Sequence, residues 1–278
     1  DSFHMLANLA RGIDELDGEA RQWIEKVQPG SGLVHGDPRN ANLAELVGDL
    51  SQSAACFLFG GLSSSRGTMA QVADRVHEGG LCGVLFGPSL TIVAGLSQGC
   101  TPIGPVRQVS AADRNIILAL DGQPALDMLK ADMGEILARD LNRAAAYIHA
   151  ALPVPGSDTG DYLVRNLMGV DPRTGAIAIG ALVDPGDRIM FCRRDPKSAE
   201  EDLRRMLADV RRRLPGPAQG GIYISCLARG PNMFGTKSRE LEIVAEQLGE
   251  FPLVGFFANG EISHNRLYGY TGVLAVFA

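Results

Sequence analysis

The sequence predicts an α/β protein in two related halves, built from duplicated mixed or antiparallel β-sheets flanked by helices. Three observations predict it. An apolar strand in Leu253-Val-Gly-Phe-Phe-Ala-Asn-Gly-Glu-Ile-Ser263 runs into a polar turn, and Tyr268-Gly-Tyr-Thr-Gly-Val-Leu-Ala-Val-Phe277 follows at once. The layout recurs earlier, where Phe57-Leu-Phe-Gly-Gly-Leu-Ser-Ser-Ser65 leads to Glu78-Gly-Gly-Leu-Cys-Gly-Val-Leu-Phe86. Each copy is preceded by an amphipathic helix with apolar residues at i, i+3, i+4 and i+7: Leu43, Leu46, Val47 and Leu50 in the first, Leu241, Val244, Ala245 and Leu248 in the second.

Taken in order, Glu19 to Val27 has a short helical pattern, closed by the loop Gln28-Pro-Gly-Ser-Gly32. Gly32-Leu-Val-His-Gly36 and Gly221-Ile-Tyr-Ile-Ser-Cys226 are short apolar strands ahead of the two matched helices. Leu81 to Phe86 and Leu90 to Leu96, divided by Gly87-Pro-Ser89, predict an antiparallel hairpin. A boundary between halves is expected near Val109 to Asn115, giving domains 1–112 and 113–278. Asn115 to Leu120 predicts a strand, and Asp121-Gly-Gln-Pro124 opens a helix expected to run to about Leu152, bent at Gly134. Asp161 to Gly169 reads as a strand, and Ala176 to Val183 with Arg188 to Cys192 as a second hairpin. Ser198 and Glu201 suggest a capping box for a helix buried through Leu203, Met206, Leu207, Val210 and Leu214.

At 278 residues the chain can bury a sizeable core. Its net charge of −6 argues against general nucleic-acid binding, which needs a basic face. No apolar run approaches the roughly 20 residues of a membrane-spanning helix. Cys56, Cys82, Cys100, Cys192 and Cys226 are scattered singly, which fits a reducing cytoplasm and gives no zinc spacing. The chain begins at Asp1, so further residues are expected upstream.

Motifs of known chemistry are missing. Gly61-Leu-Ser-Ser-Ser65 lacks the second glycine of a nucleophile elbow, no Gly-Lys-Ser/Thr marks a phosphate loop, and no histidine pair has ligand spacing. Neither a cofactor nor a metal is expected. Glu261 stands out, because an unpaired carboxylate between apolar runs is costly to bury and should face water, a partner or a ligand. Cys226 ends an apolar strand beside Arg229, which would lower a thiol pKa, or else it is an inert buried residue. Arg165 and Arg229 fit a carboxylate or phosphate fork, or a structural pair with Glu261 or Asp195. Asn166 and Asn259 suit ligand orientation or tight turns.

At these residues the chain resembles the FIST family, a module of bacterial sensory proteins and some eukaryotic F-box proteins. The resemblance rests on Leu120-Asp-Gly-Gln-Pro-Ala125, Asp161-Tyr-Leu-Val-Arg-Asn166, Ser225-Cys-Leu-Ala-Arg-Gly230, Gly255-Phe-Phe-Ala-Asn-Gly-Glu-Ile262 and Gly269-Tyr-Thr271 in the second half. In the first half it rests on Phe59-Gly-Gly-Leu-Ser-Ser64, Gly83-Val-Leu85 and Gln98-Gly-Cys-Thr-Pro-Ile-Gly104. It implies the later part of a FIST N domain, without its opening segment, followed by a FIST C domain. It also implies sensing of small ligands, amino acids and related metabolites being the usual suggestion, and brings no catalytic mechanism.

The resulting expectation is a cytoplasmic small-ligand sensor whose polar pocket uses Arg165, Asn166, Cys226, Arg229, Asn259 and Glu261, with arginine taking a carboxylate and Glu261 an amine. Its signal would pass to a separate protein. The rival is a protein-interaction scaffold presenting an exposed Phe256-Phe257 pair, and a third reading is an enzyme using Cys226 or Glu261.

Overall fold

A computed structural model describes residues 2–138, 147–156, 161–236 and 239–278. Its strands are β1 (Phe3–Leu9), β2 (Ser31–Gly36), β3 (Phe57–Leu62), β4 (Gln71–Ala73), β5 (Arg75–His77), β6 (Leu81–Phe86), β7 (Ile92–Ser97), β8 (Cys100–Pro102), β9 (Arg107–Asp113) and β10 (Ile116–Leu120). They continue as β11 (Gln123–Pro124), β12 (Ile148–Pro153), β13 (Tyr162–Asp171), β14 (Ala176–Ile179), β15 (Arg188–Arg194), β16 (Gly220–Cys226), β17 (Leu253–Ala258), β18 (Glu261–Ser263), β19 (Arg266–Tyr268) and β20 (Gly272–Phe277). The helices are α1 (Gly18–Val27), α2 (Leu43–Ala54), α3 (Ala125–Ala138), α4 (Pro196–Arg213), α5 (Pro231–Phe234) and α6 (Arg239–Leu248). No helix among the described residues is long and apolar enough to cross a membrane.

The chain forms two compact units, 1–99 with 199–278, and 100–198. In the first, one sheet has the order β1-β6-β2-β3-β18-β19 and another β17-β16-β20-β7. These two sheets carry buried apolar residues on both faces, at alternate positions along their strands. Leu58 and Leu62 join Leu46 and Leu50 of α2 in one core, whereas Phe59 packs with Val273 and Ala275 between the sheets. Leu274 and Val276 pack with Leu203 and Leu207 of α4 and Val244 of α6. The unit is therefore layered helix, sheet, sheet, helix.

The duplication is visible in the register. β2 and β3 pair in parallel through α2, and β16 and β17 in parallel through α6, each pair flanked by an antiparallel strand, β6 or β20. Gly60 lies opposite Val34, and Gly255 opposite Tyr223. A Cβ at either glycine would lie 1.8 Å from the facing carbonyl oxygen, so both strands need glycine at the same place for the backbones to approach.

In the second unit β9 pairs with both β10 and β15, closing the ring β10-β14-β13-β12-β15-β9 into an antiparallel barrel. Ile117, Ile177, Ile189 and Phe191 fill it, with Leu126 and Leu129 of α3 against them.

Several expectations are corrected. The helix foreseen to Leu152 is described as far as Ala138, residues 139–146 lie outside the described residues, and Ile148–Pro153 is strand β12 rather than helix. Gly134, at φ +74°, interrupts α3. Neither hairpin exists: β6 pairs with β1 and β2 while β7 pairs with β20 in the other sheet, and β14 and β15 have different neighbours in the barrel. A turn-rich connection marks a change of direction but not which sheet receives the next strand. Asp195, rather than a Ser198–Glu201 box, serves the start of α4, accepting Lys197 N–H at 3.1 Å and Ser198 Oγ–H at 2.7 Å. On α6 the buried face is Glu240, Ile243 and Val244, with Leu241 and Ala245 exposed.

Gly60→Ala is expected to lower stability by about 3 kcal/mol or more, since backbone must move to admit the methyl group. Gly216→Ala, with open space around it, should stay within about 0.5 kcal/mol. Denaturation midpoints of the two variants check both.

Candidate functional site

The C-terminal end of β16 carries two buried polar centres, one on each face. Alternation turns Tyr223 and Ser225 toward α6 and Cys226 toward β18. On the α6 side, Glu240 lies in the first turn of its helix, where the unpaired N–H groups favour a carboxylate. Its Oε1 accepts Tyr223 Oη–H at 2.7 Å and Arg229 Nε–H at 2.7 Å, and its Oε2 accepts Ser225 Oγ–H at 3.0 Å. Arg229, fully buried, also donates to the carbonyl and the hydroxyl of Ser97, both at 3.4 Å. The Phe234 ring lies 5.0 Å from its guanidinium carbon. Burial works to strip the arginine of its charge, but Tyr223 and Glu240 oppose it and leave the guanidinium above its ordinary pKa.

On the other face, Glu261 is 0 % exposed. Its Oε2 accepts Thr271 Oγ1–H at 2.7 Å and Thr271 N–H at 3.1 Å, while Oε1 receives no hydrogen bond. The preceding Tyr270 is held at φ +64°, a left-handed conformation that aims the Thr271 amide at the carboxylate. Burial pushes the Glu261 carboxyl up to about 7, against the Thr271 hydrogen bonds and the Arg229 charge. The Cys226 thiol, the carboxyl's other polar neighbour, is pushed up to about 12 by burial and then by Glu261.

The structure thus brings Cys226, Arg229 and Glu261 into one buried neighbourhood. Arg229 bonds Glu240 rather than Glu261 or Asp195, and the Cys226 thiol is raised rather than lowered, which makes it a poor nucleophile at neutral pH. Glu261 faces protein rather than water, and burial raises its pKa, which favours the neutral form that is less costly to bury. Asn259 is exposed in the turn between β17 and β18, its N–H donating to the Leu62 carbonyl at 3.1 Å. Arg165 and Asn166 lie on β13 of the second unit, opposite Ala150 and His149, and burial lowers the Arg165 pKa. Among the described residues no cluster of His, Cys, Asp or Glu is arranged to hold a metal.

Glu240, Tyr223, Ser225 and Thr271 were not singled out from the sequence. A signal for Glu240 existed, because it precedes Ile243 and Val244 by one helical turn and so stands on the buried stripe.

Beside Glu240, a cavity of about 190 Å³ lies along β17, bounded by Tyr223, Ser225, Leu241, Leu253, Gly255 and Phe257. A second, of about 180 Å³, lies between α5 and α6 and shares Glu240, Leu241 and Phe257 with the first. The first is apolar apart from the Glu240 network, and the second also meets Thr236 and Arg239, whose guanidinium pairs with Glu200, Glu242 and Glu246.

A protein with a duplicated layered unit, a strand barrel and a buried ionic centre is the class so defined. Residues 1–123 match the FIST N domain and residues 125–264 the FIST C domain, and the chain belongs to the FIST family. FIST domains are associated with sensory signal transduction and ligand binding. The chain is 38 % identical over 255 residues to an uncharacterized protein of Mycobacterium tuberculosis, an alignment covering 86 % of this chain and 65 % of that one. It is 37 % identical over 213 residues to an uncharacterized protein of Mycobacterium bovis, covering 73 % of this chain and 54 % of the relative. The chain therefore spans less than two thirds of the length of these relatives.

Two predictions follow from the buried charges. The folded state raises the Glu261 pKa, so its stabilising contribution is complete below about 4.5 and is lost as pH rises to about 7. Glu261→Gln should remove a penalty of about 3 kcal/mol at pH 8 and none at pH 4, read as the difference between wild-type and variant denaturation midpoints. Arg229→Met alone should cost about 3–5 kcal/mol by leaving Glu240 buried and unpaired, whereas Arg229→Met with Glu240→Leu should recover most of it in a double-mutant cycle.

Proposed function

We propose that this chain is a cytoplasmic sensory module that binds a small ligand, an amino acid or related metabolite, in the cavity between β17 and α6. Occupancy would pass to a separate signalling protein. The observation that carries the reading is the apolar cavity with one polar point, the hydrogen-bonded Glu240 carboxylate. Such concave apolar sites with a few fixed polar groups are where small molecules bind. Arg229 serves this site by holding Glu240, and Cys226 and Glu261 stand behind it on the opposite face of β16. Arg165, Asn166 and Asn259 do not line this cavity, and a ligand role for them is a separate proposal. Five buried free cysteines support a reducing compartment.

A second reading, a docking surface for another protein, is favoured by Phe257, 44 % exposed on the same edge.

A thermal-shift screen against free amino acids and small amides tests the proposal. A ligand at 100 times its Kd should add roughly 2.7 kcal/mol and raise the melting temperature by several degrees. Leu241→Trp, which fills the cavity mouth from a half-exposed position, should abolish that shift while leaving the ligand-free melting temperature close to wild type. A shift unchanged in Leu241→Trp would place the ligand elsewhere.

A further inference from the structure

Among the described residues the outer edges of the two parallel pairs differ: that of β3 pairs with β18, and that of β17 pairs with no strand. On β3, β18 pairs antiparallel, placing Glu261 opposite Gly61, Ile262 opposite Gly60 and Ser263 opposite Phe59. His264 N–H donates to the Leu58 carbonyl at 2.7 Å, and Leu62 N–H to the Gly260 carbonyl at 2.9 Å. The outward-facing main-chain groups of β3 are therefore those of residues 58, 60 and 62, and Gly60 and Ile262 form a hydrogen-bonded pair by alternation. Ile262 is 0 % exposed and lies in the core beneath α2, on the face where Gly60 supplies no side chain.

β17 repeats this arrangement without the cover. The Pro252 carbonyl accepts Gly221 N–H at 2.9 Å and the Ala258 carbonyl accepts Leu227 N–H at 2.9 Å, so even-numbered residues face the β16 side. Leu253, Gly255 and Phe257 face outward, in agreement with the Phe257 carbonyl accepting the Ser64 hydroxyl. Gly255 is the counterpart of Gly60. Among the described residues β17 pairs only with β16, which leaves the outward N–H and C=O of Leu253 and Gly255 without a strand partner.

The cavity lies where Gly255 lacks a side chain, and five consecutive residues, 253–257, bound it. Since successive side chains point to opposite faces, contact with all five means that the cavity follows the main-chain edge rather than one face. Its volume of about 190 Å³ is below the roughly 300–1,000 Å³ of a site that encloses a drug-sized molecule. The neighbouring cavity of about 180 Å³ adjoins it along the same side of Phe257. Two small chambers beside a free strand edge suit alternate side chains of an added strand. The fully buried Arg229 balances Glu240, and Arg239 at the second chamber is paired with Glu200, Glu242 and Glu246, so the chambers favour an uncharged occupant.

We infer that the ligand of this site is an uncharged extended peptide segment, which adds antiparallel to β17 as β18 adds to β3. Its central aliphatic residue exchanges both main-chain hydrogen bonds with Gly255 and fills the cavity against α6. Its alternate side chain enters the chamber beside Phe257. The inference rests on the cavity being the ligand site and names the class of ligand it takes.

The probe is the blocked peptide acetyl-Val-Thr-Ile-Thr-amide, titrated into the isotopically labelled chain and followed by NMR, with a second peptide carrying an N-methyl group on the isoleucine nitrogen. The expected result is a saturable shift of the Gly255 amide, about tenfold slower exchange of that amide at saturation, and at least tenfold weaker binding of the N-methyl peptide. Leu241→Trp, still folded by its spectrum, should lose the shift. Equal binding of both peptides, or dimerisation of the chain through β17 that excludes the peptide, would overturn the inference. Binding of free amino acids in the cavity without the blocked peptide would overturn it while leaving the cavity as a ligand site. Failure of every compound to perturb residues 253–257 would overturn both.

Discussion

The buried pair of Arg229 and Glu240 is the constraint on which the site depends. Two charges removed from water are held only if every remaining donor and acceptor finds a partner. Here the partners come from four separate places: Tyr223 and Ser225 on β16, Ser97 at the end of β7, Phe234 on α5, and α6 itself through Glu240. Satisfying the pair therefore fixes the register of the helix over the sheet and the path of the loop after β16. Gly230 completes that loop at φ +55°, where an added Cβ would lie 2.7 Å from the Phe257 ring. The cavity beside β17 is what remains once these groups are in place.

Duplication explains why a strong apolar strand ends at a free edge. Both copies need glycine at the same register because a Cβ there would meet the facing carbonyl oxygen, and neither glycine supplies a side chain to the layer beneath its helix. In the first copy the chain returns through the Asn259–Gly260 turn and places Ile262 in that layer. That returning segment is β18, which follows β17 directly, so one connection covers the edge of the first copy and leaves that of the second uncovered. An uncovered apolar edge invites pairing, and the edge is short, with Gly255 at its centre and Ser64 occupying the Phe257 carbonyl.

The sequence revealed the repeat because a repeat needs only pattern: glycine-bearing strands, matched helices, and the order of both. It revealed the family for the same reason, through Gly255-Phe-Phe-Ala-Asn-Gly-Glu-Ile262 and its companions. Strand partners were less legible. The segments before and after Gly87-Pro-Ser89 both carry strand composition, yet whether they pair depends on residues far along the chain, such as Gly272–Phe277 for β7. The region ending in Ile148–Pro153 carried helical residues through its first part, and barrel closure between β13 and β15 decided the rest. At the site, Arg229 and Glu261 were conspicuous as charges within apolar runs. Glu240 was hidden in a helix rich in glutamate, where only its phase against Ile243 and Val244 distinguishes it from its exposed neighbours.

Ser225 and Cys226 are adjacent in β16 and serve opposite faces, which gives the two polar centres a common support. Ser225 holds Glu240 at the cavity, and Cys226 meets Glu261, whose carboxyl is bonded to Thr271 at the start of β20. Cys226 N–H in turn donates to the Thr271 carbonyl at 3.0 Å. The strand that borders the cavity is thus clamped on its other side to a carboxyl whose pKa burial raises, in a chain of direct contacts only two residues wide. An occupant that shifted the end of β16 would have to lengthen the Cys226–Thr271 bond or carry Thr271 with it. Thr271 supplies both hydrogen bonds that Glu261 receives, so either movement would change the cost of burying that carboxylate. If occupancy of the sheet edge moved β16 in this way, it would be linked to Glu261 protonation, and by linkage the effect would be reciprocal.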